Sequence, residues 1–173
     1  DGNEVFIYGR SIKQYYRFSN SRIIQRKFPS TNLGIILYSI YSLVMLIIKQ
    51  SYSYLAIVEI IKHNSKNWFQ FFNRSSRLLP PFLDDLEIFH IQWAKALVQY
   101  PEFIKKLKCP IVLSLRGAHI NYSPLADKKL AQGYVKYFPM VTAFHAVSNA
   151  ITREAEKYGA DPNKITVIKP AVK

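Results

Sequence analysis

The chain has 173 residues, enough for one α/β domain with a proper core and part of a second, and 49% hydrophobic residues with 14% aromatics suit a folded protein. Lys and Arg total 24 against 11 Asp and Glu, and the net charge of +13 attracts anions: nucleic acid, an acidic membrane surface or phosphorylated substrates. Cys109 is the single cysteine, which excludes a disulfide-organised fold and fits a reducing cytosol; no RRM, zinc-finger or helix-turn-helix signature steers the charge towards nucleic acid.

The chain opens at Asp1 without a basic n-region or initiator Met, so no signal peptide can be read. Asn3–Tyr8 (NEVFIY) alternates and is β-branched or aromatic, which predicts a strand over Glu4–Tyr8, punctuated by Gly2 and Gly9. Ser11 to Ser30 is basic and aromatic without clean periodicity, with Arg10, Lys13, Arg17, Arg22, Arg26 and Lys27 in or beside it, and reads as a loop or short helix. Pro29-Ser30-Thr31-Asn32 has the form of a helix start.

Leu33–Ile48 is the most apolar stretch, yet shorter than the ~20 residues that cross a bilayer. Ser39 and Ser42 interrupt it, and Tyr38 and Tyr41 add polar tips. A buried helix packed on a sheet is the main expectation; a helix lying in a membrane interface, next to the basic aromatic segment, stays open. Ser53–His63 and Trp68–Leu79 predict two more helices, separated by HNSKN. Trp68, Phe69, Phe71 and Phe72 read as core, and Pro80-Pro81 ends the helical pattern. Helices in succession over roughly 33–80 amount to a helical insertion or to a strand missing from the sheet.

From Asp84 to His119 the pattern is strand, helix, strand. Asp84 and Asp85 read as solvated turn residues ahead of an apolar run, Leu86–Ile91. Trp93–Leu107 has helical spacing at Trp93, Leu97, Phe103, Ile104 and Leu107, and Ile111–Leu115 is apolar again. Such a unit is right-handed with parallel strands, and ligands of open parallel sheets gather beyond the strands' carboxyl ends. Those ends carry His90 and Gln92, then Arg116, Gly117 and His119. Ser123-Pro124 opens a helix to about Tyr137, and Val141–Ala146 is the next strand. Ser148 caps a helix over Asn149–Tyr158, Gly159 ends it, and Asp161-Pro162 turns the chain into a last strand, Ile165–Ile168, before Lys169-Pro170-Ala171. The fold class is α/β: a Rossmann-like parallel sheet flanked by helices.

The ordered series DLEIFHIQWA, PIVLSLRGAH and VTAFHAVSNAITREAEKYGADPNKITVIKPAV resembles the amino-terminal domain of retaining GT-B glycosyltransferases of family GT4. There too a strand ends in His, a strand ends in a polar-Gly turn, V-S opens a helix, Y-G closes it, and K-I-x-V-I leads to a linker. NEVFIY resembles that domain's second strand, so the match covers residues 1–10 and 84–173 and leaves the helical block as a variable region. The resemblance implies a single domain over 1–173, the amino-terminal half of such an enzyme without its first strand and without the donor-binding domain with its paired glutamates. By itself such a fragment is expected to be inactive.

What the resemblance implies is hexosyl transfer from a nucleotide-sugar donor to a carbohydrate or lipid-linked acceptor, in surface polysaccharide or glycolipid biosynthesis. It implies no bound metal and no other cofactor. A cytoplasmic protein peripheral to an anionic inner membrane face agrees with the basic charge. Arg116 and His90 are the catalytic candidates. Arg116, where relatives carry His before the Gly, suits the charge of a leaving diphosphate. His90 suits an acceptor hydroxyl, or else is a structural histidine bonded to backbone. Gly117, His119, Ser148 and Asn149 are the substrate-binding candidates: Gly117 permits close backbone approach, and Ser148–Asn149 offers helix amides. His145, inside an apolar strand, reads as structural and His63 as surface. No spacing among these histidines suits a metal. No Gly-x-Ser-x-Gly elbow, P-loop lysine or Cys/His pairing supports hydrolase or NTPase chemistry. A different class stays open, a non-catalytic anion- or membrane-binding Rossmann-type domain. A second Rossmann domain downstream would separate the enzyme from it, and salt-dependent affinity for DNA or RNA would mark a nucleic-acid binder.

Overall fold

The structure, a computed structural model, describes residues 3–9, 22–49 and 52–170, and the chain forms two compact units, Asp1–Asp85 and Leu86–Lys173. Gly2, Arg10, Lys13, Arg17 and Ala171 lie outside the described residues.

In the first unit, strand β1 (Glu4–Gly9) pairs in parallel with β2 (Arg22–Lys27), from Glu4 opposite Arg22 to Gly9 opposite Lys27. The expected loop or short helix over Ser11–Ser30 is thus corrected: its second half is a strand. Ile23 and Ile24 supply the β-branched centre, and the charges that blurred the alternation, Arg22 and Lys27, stay exposed. Arg26 turns inward instead. Its Nη2 and Nε donate to Asp84 Oδ1 at 2.7 Å and Oδ2 at 3.2 Å, and the Tyr8 hydroxyl donates to Asp84 Oδ2 at 2.6 Å. Asp84 is therefore not a solvated turn residue; its side chain is only 8% exposed.

Helix α1 (Asn32–Ile48) starts at Thr31, whose hydroxyl accepts from Gly34 N at 3.2 Å. Its inward face is Ile35, Ser39, Ser42 and Leu46, packed on α3 (Trp68–Leu78). The Ser39 hydroxyl lies 2.8 Å from Ile35 O and 2.6 Å from Phe72 O. Small residues there let two helices approach closely, while Leu33, Leu37, Ile40, Tyr41, Val44, Ile47 and Ile48 remain exposed. The expected buried helix is buried on one side only. Among the described residues no helix is long and apolar enough to cross a membrane.

Helix α2 (Tyr52–His63) buries Ile57 and Ile61, and α3 begins at Asn67, whose Oδ1 accepts from Gln70 N at 2.8 Å. Of the aromatic cluster, Phe71 is core, whereas Trp68 and Phe69 are exposed, contrary to the core expectation; period 3.6 cannot turn four neighbouring rings inward together. Pro80-Pro81 does more than end a helix. It opens the short α4 (Pro80–Leu83), because a proline at the first turn has no N–H to leave unpaired.

The second unit holds a four-stranded, all-parallel sheet in the order β3 (Phe89–Ile91), β4 (Ile111–Leu115), β5 (Ala143–Ala146) and β6 (Ile165–Val167). The crossovers are more broken than periodicity predicts. Trp93–Leu107 splits into α5 (Ala94–Gln99) and α6 (Glu102–Lys106), because Pro101 forces Tyr100 out of helical geometry. A short α7 (Ala118–Asn121) precedes the helix expected from Ser123, which divides into α8 (Ser123–Ala126) and α9 (Lys128–Tyr137). Asp127 makes the last break: extended itself, it accepts at Oδ1 from Lys129 N and Leu130 N. Helix α10 (Asn149–Glu156) carries the Ser148 cap as expected, and the left-handed Gly159 follows it.

Leu97, Leu113, Leu115, Tyr134, Phe138 and Phe144 form the heart of this unit, each 2% exposed or less. Helices α5 and α9 touch through Gly133, where an added Cβ would lie 2.5 Å from Val98 Cγ1. Gly133→Ala is expected to cost about 1–3 kcal/mol by overpacking. Denaturant unfolding measures it, and Val98→Ala in the same chain should restore most of the loss.

Candidate functional site

Each strand of the four-stranded sheet places one polar residue between two apolar ones: Phe89-His90-Ile91, Leu113-Ser114-Leu115, Phe144-His145-Ala146 and Ile165-Thr166-Val167. Alternation sends the apolar members to the core face, and the register aligns the polar ones on the other. Ser114 lies directly opposite His145, and His145 opposite Thr166. Buried parallel sheets ordinarily carry apolar residues on both faces, so a polar row is unusual.

The row is hydrogen-bonded. His90 Nε2 lies 2.8 Å from Ser114 Oγ, which lies 3.1 Å from His145 Nδ1; His145 Nε2 lies 3.3 Å from Ile168 O, and Gln92 Nε2 3.2 Å from His90 Nδ1. Ser114 is fully buried, His145 half-buried and His90 exposed at the strand end. Desolvation first, then the neighbouring His145 and Arg116, lower the His90 pKa below its ordinary value.

Arg116 leaves β4 at its carboxyl end and is half-buried. Gly117 follows with φ 45° and ψ −136°, and no atom lies within 4 Å of where a Cβ would be. The glycine is there for its backbone, and the space above it is open. Ala118–Asn121 then forms α7, tied down where the Tyr134 hydroxyl donates to His119 O at 2.9 Å. The His119 ring packs edge-on against Trp93, centroids 4.9 Å apart. Arg116 Nε, His119 Nδ1 and Asn121 Oδ1 are buried atoms without a hydrogen-bond partner. Buried polar atoms in folded proteins are nearly always paired, so three in six residues call for a ligand or solvent.

Of the sequence candidates, His90 and Arg116 lie close enough for the cation to act on the histidine, and Gly117 and His119 follow Arg116 in one turn. Ser148 is committed to the α10 cap, its hydroxyl accepting from Ile151 N at 3.4 Å, and Asn149 is exposed beside it. Asn121 also lines a shallow cleft of about 430 Å³ with Tyr122, Leu125, Ala150, Arg153, Glu154 and Lys157. Ser114, His145 and Asn121 join the site without having been singled out for it. For the first two, the repeated apolar-polar-apolar triplet was the available signal. Among the described residues no group of three or more His, Cys, Asp or Glu could hold a metal ion.

No curated protein and no solved structure matches the chain. The family model Glycosyltransferase Family 4 matches residues 49–173, which takes in the whole four-stranded sheet and the turns at its carboxyl ends. By that match, the chain belongs to Glycosyltransferase Family 4.

Proposed function

We propose that residues 86–173 form the acceptor-side wall of a retaining glycosyltransferase that moves a hexosyl group from a nucleotide-sugar donor to a carbohydrate or lipid-linked acceptor. The observation that carries this reading is Arg116, half-buried with its Nε unpartnered and within electrostatic reach of His90, beside an open glycine turn at the sheet's carboxyl end. In the transfer, the bond from the anomeric carbon to the diphosphate oxygen breaks, a bond to the acceptor oxygen forms, and the acceptor hydroxyl's proton passes to the departing diphosphate. Negative charge grows on the leaving diphosphate, and the Arg116 guanidinium stabilises it. Gly117 lets the ligand approach the backbone. His90 accepts a hydrogen bond from a ligand hydroxyl, His119 and Asn121 complete its contacts, and Asn149 reaches it from the start of α10. No cofactor takes part in this scheme.

Arg116→Ala in the full-length protein is expected to lower sugar transfer about 10²–10³-fold, the loss typical of one charge-stabilising donor. Its unfolding midpoint should hardly move, since Arg116 is half-buried at a loop. Unchanged turnover would reduce the residue to surface charge and remove the main support for the reading.

A second element of the proposal concerns α1. Its outward side chains and the net charge of +13 support peripheral attachment to an anionic cytoplasmic membrane face, where a lipid-linked acceptor would be met. Surface polysaccharide or glycolipid synthesis is the setting that fits such an acceptor.

A further inference from the structure

The hydrogen-bonded row on the sheet has only one consistent direction for its protons when both histidines are neutral. A backbone carbonyl can only accept, so His145 Nε2, 3.3 Å from Ile168 O, carries a proton. Neutral His145 must then accept at Nδ1, and Ser114 Oγ, 3.1 Å away, is the donor. The serine hydroxyl has a single proton, so towards His90 Nε2 at 2.8 Å it accepts, and His90 holds its own proton on Nε2. His90 Nδ1 is left with a lone pair, which takes a hydrogen bond from Gln92 Nε2 at 3.2 Å. One carbonyl on the far side of the row thus sets the tautomer of a histidine three strands away.

We infer that Ser114 and His145 are positioning residues that hold His90 as its neutral Nε2–H tautomer, so that Nδ1 offers a lone pair to a ligand hydroxyl at the end of β3. The charged or titratable groups acting on His90 are His145 on β5 and Arg116 beyond β4, and both oppose a proton there. Exposed Gln92 is the part of the row that a ligand can displace. The two ends of the site therefore select different chemistry: His90 takes a hydroxyl that donates, and Arg116 takes an anion. This assignment of ligands rests on the proposed transferase site; the tautomer does not.

A histidine whose folded pKa is depressed contributes stability that is present above the unfolded value, about 6.5, and is lost as pH falls through the folded value. Acid should therefore loosen the row before it affects the apolar core.

Nitrogen-15 and carbon-13 NMR of histidine-labelled protein reads each tautomer directly. At neutral pH, His90 and His145 are both expected as Nε2–H forms. Ser114→Ala should turn the His90 signal into a mixture of tautomers, and Ser114→Thr, which keeps the hydroxyl, should restore the single form. An Nδ1–H form at His90 in the unmodified protein would overturn the inference, and that measurement requires no variant to fold. So would a single Nε2–H form that survives both Ser114→Ala and the volume-conserving His145→Phe. If the tautomers are as stated but Arg116→Ala transfers sugar normally, the transferase site is misassigned and the row stands. If the tautomers differ while Arg116→Ala loses transfer, the reverse holds.

Discussion

Asp84→Ala is expected to destabilise the unit Asp1–Asp85 by about 2–3 kcal/mol, somewhat less than the ~3–5 kcal/mol lost when a fully buried ion pair is broken. The reduction reflects Arg26, whose side chain is 42% exposed and can be rehydrated, whereas that of Asp84 is 8% exposed. The alanine leaves the Tyr8 hydroxyl and the Arg26 guanidinium facing a gap, and both must find new partners or open the structure to water. Tyr8→Phe removes one hydrogen bond and should cost about 1 kcal/mol. A double-mutant cycle between positions 8 and 84 should give a coupling of roughly 0.5–3 kcal/mol. Denaturant unfolding is the measurement, and equal stability of Asp84→Ala and the unmodified chain would return Asp84 to the solvated turn residues. The same cluster predicts sensitivity to base. Burial, then Asp84, pushes the Tyr8 phenol well above its usual range. The stability this contributes is complete below about pH 10, the ordinary tyrosine value, and declines above it as the unfolded chain ionises first.

Leu37→Asp combined with Val44→Asp is expected to weaken association with anionic vesicles at least ~100-fold, roughly 3 kcal/mol, because each apolar side chain contributes on the order of 1–2 kcal/mol when covered. At about 100° per residue, Leu33, Leu37, Ile40, Tyr41, Val44, Ile47 and Ile48 fall within an arc of roughly 120°, opposite the buried serines. The helix has 17 residues and no charge, so the stripe runs about 25 Å without a polar break. A lipid surface of negative charge is the occupant that matches both the apolar stripe and a chain of pI about 9.8. Cosedimentation with phosphatidylglycerol vesicles, against neutral vesicles and at rising salt, reads both contributions. Because the substituted side chains are already 58% and 47% exposed, the fold should survive the change. Failure of the unmodified protein to bind anionic vesicles would sink the idea. Self-association without lipid, abolished by the same variant, would assign the stripe to a second copy of the chain instead.

Much of the fold is legible along the chain because it depends on neighbours in sequence. Thr31, Asn67, Asp127 and Ser148 act on amides two or three residues ahead, and Gly159 sits where a left-handed residue ends a helix. Strands β4 to β6 are apolar enough to stand out, and their order implies parallel pairing. Where periodicity alone predicts too long a helix, a local breaker interrupts it: Pro101 within Trp93–Leu107, and Asp127 within the helix expected after Ser123.

The residues that disagree with their local reading are those whose partners lie far away in sequence. Asp84 looks like a turn residue until Tyr8 and Arg26 reach it across separations of 76 and 58 residues. Arg22–Lys27 looks like a basic loop until a parallel neighbour takes up its amides and carbonyls. Leu33–Ile48 has the composition of a core helix, but the serines turn inward because only small residues permit close approach to α3.

Arg116 and Gly117 were evident from the sequence alone, since a charge and a glycine after an apolar strand mark a strand end whatever surrounds them. That Arg116 Nε, His119 Nδ1 and Asn121 Oδ1 lie buried without partners is a tertiary fact. So is the joining of His90, Ser114 and His145, separated by 24 and 31 residues, into one row. Sequence determines which atoms can donate and accept; only the register of the sheet decides which of them meet, because hydrogen bonds act over about 3 Å and the chain between strands does not record that distance.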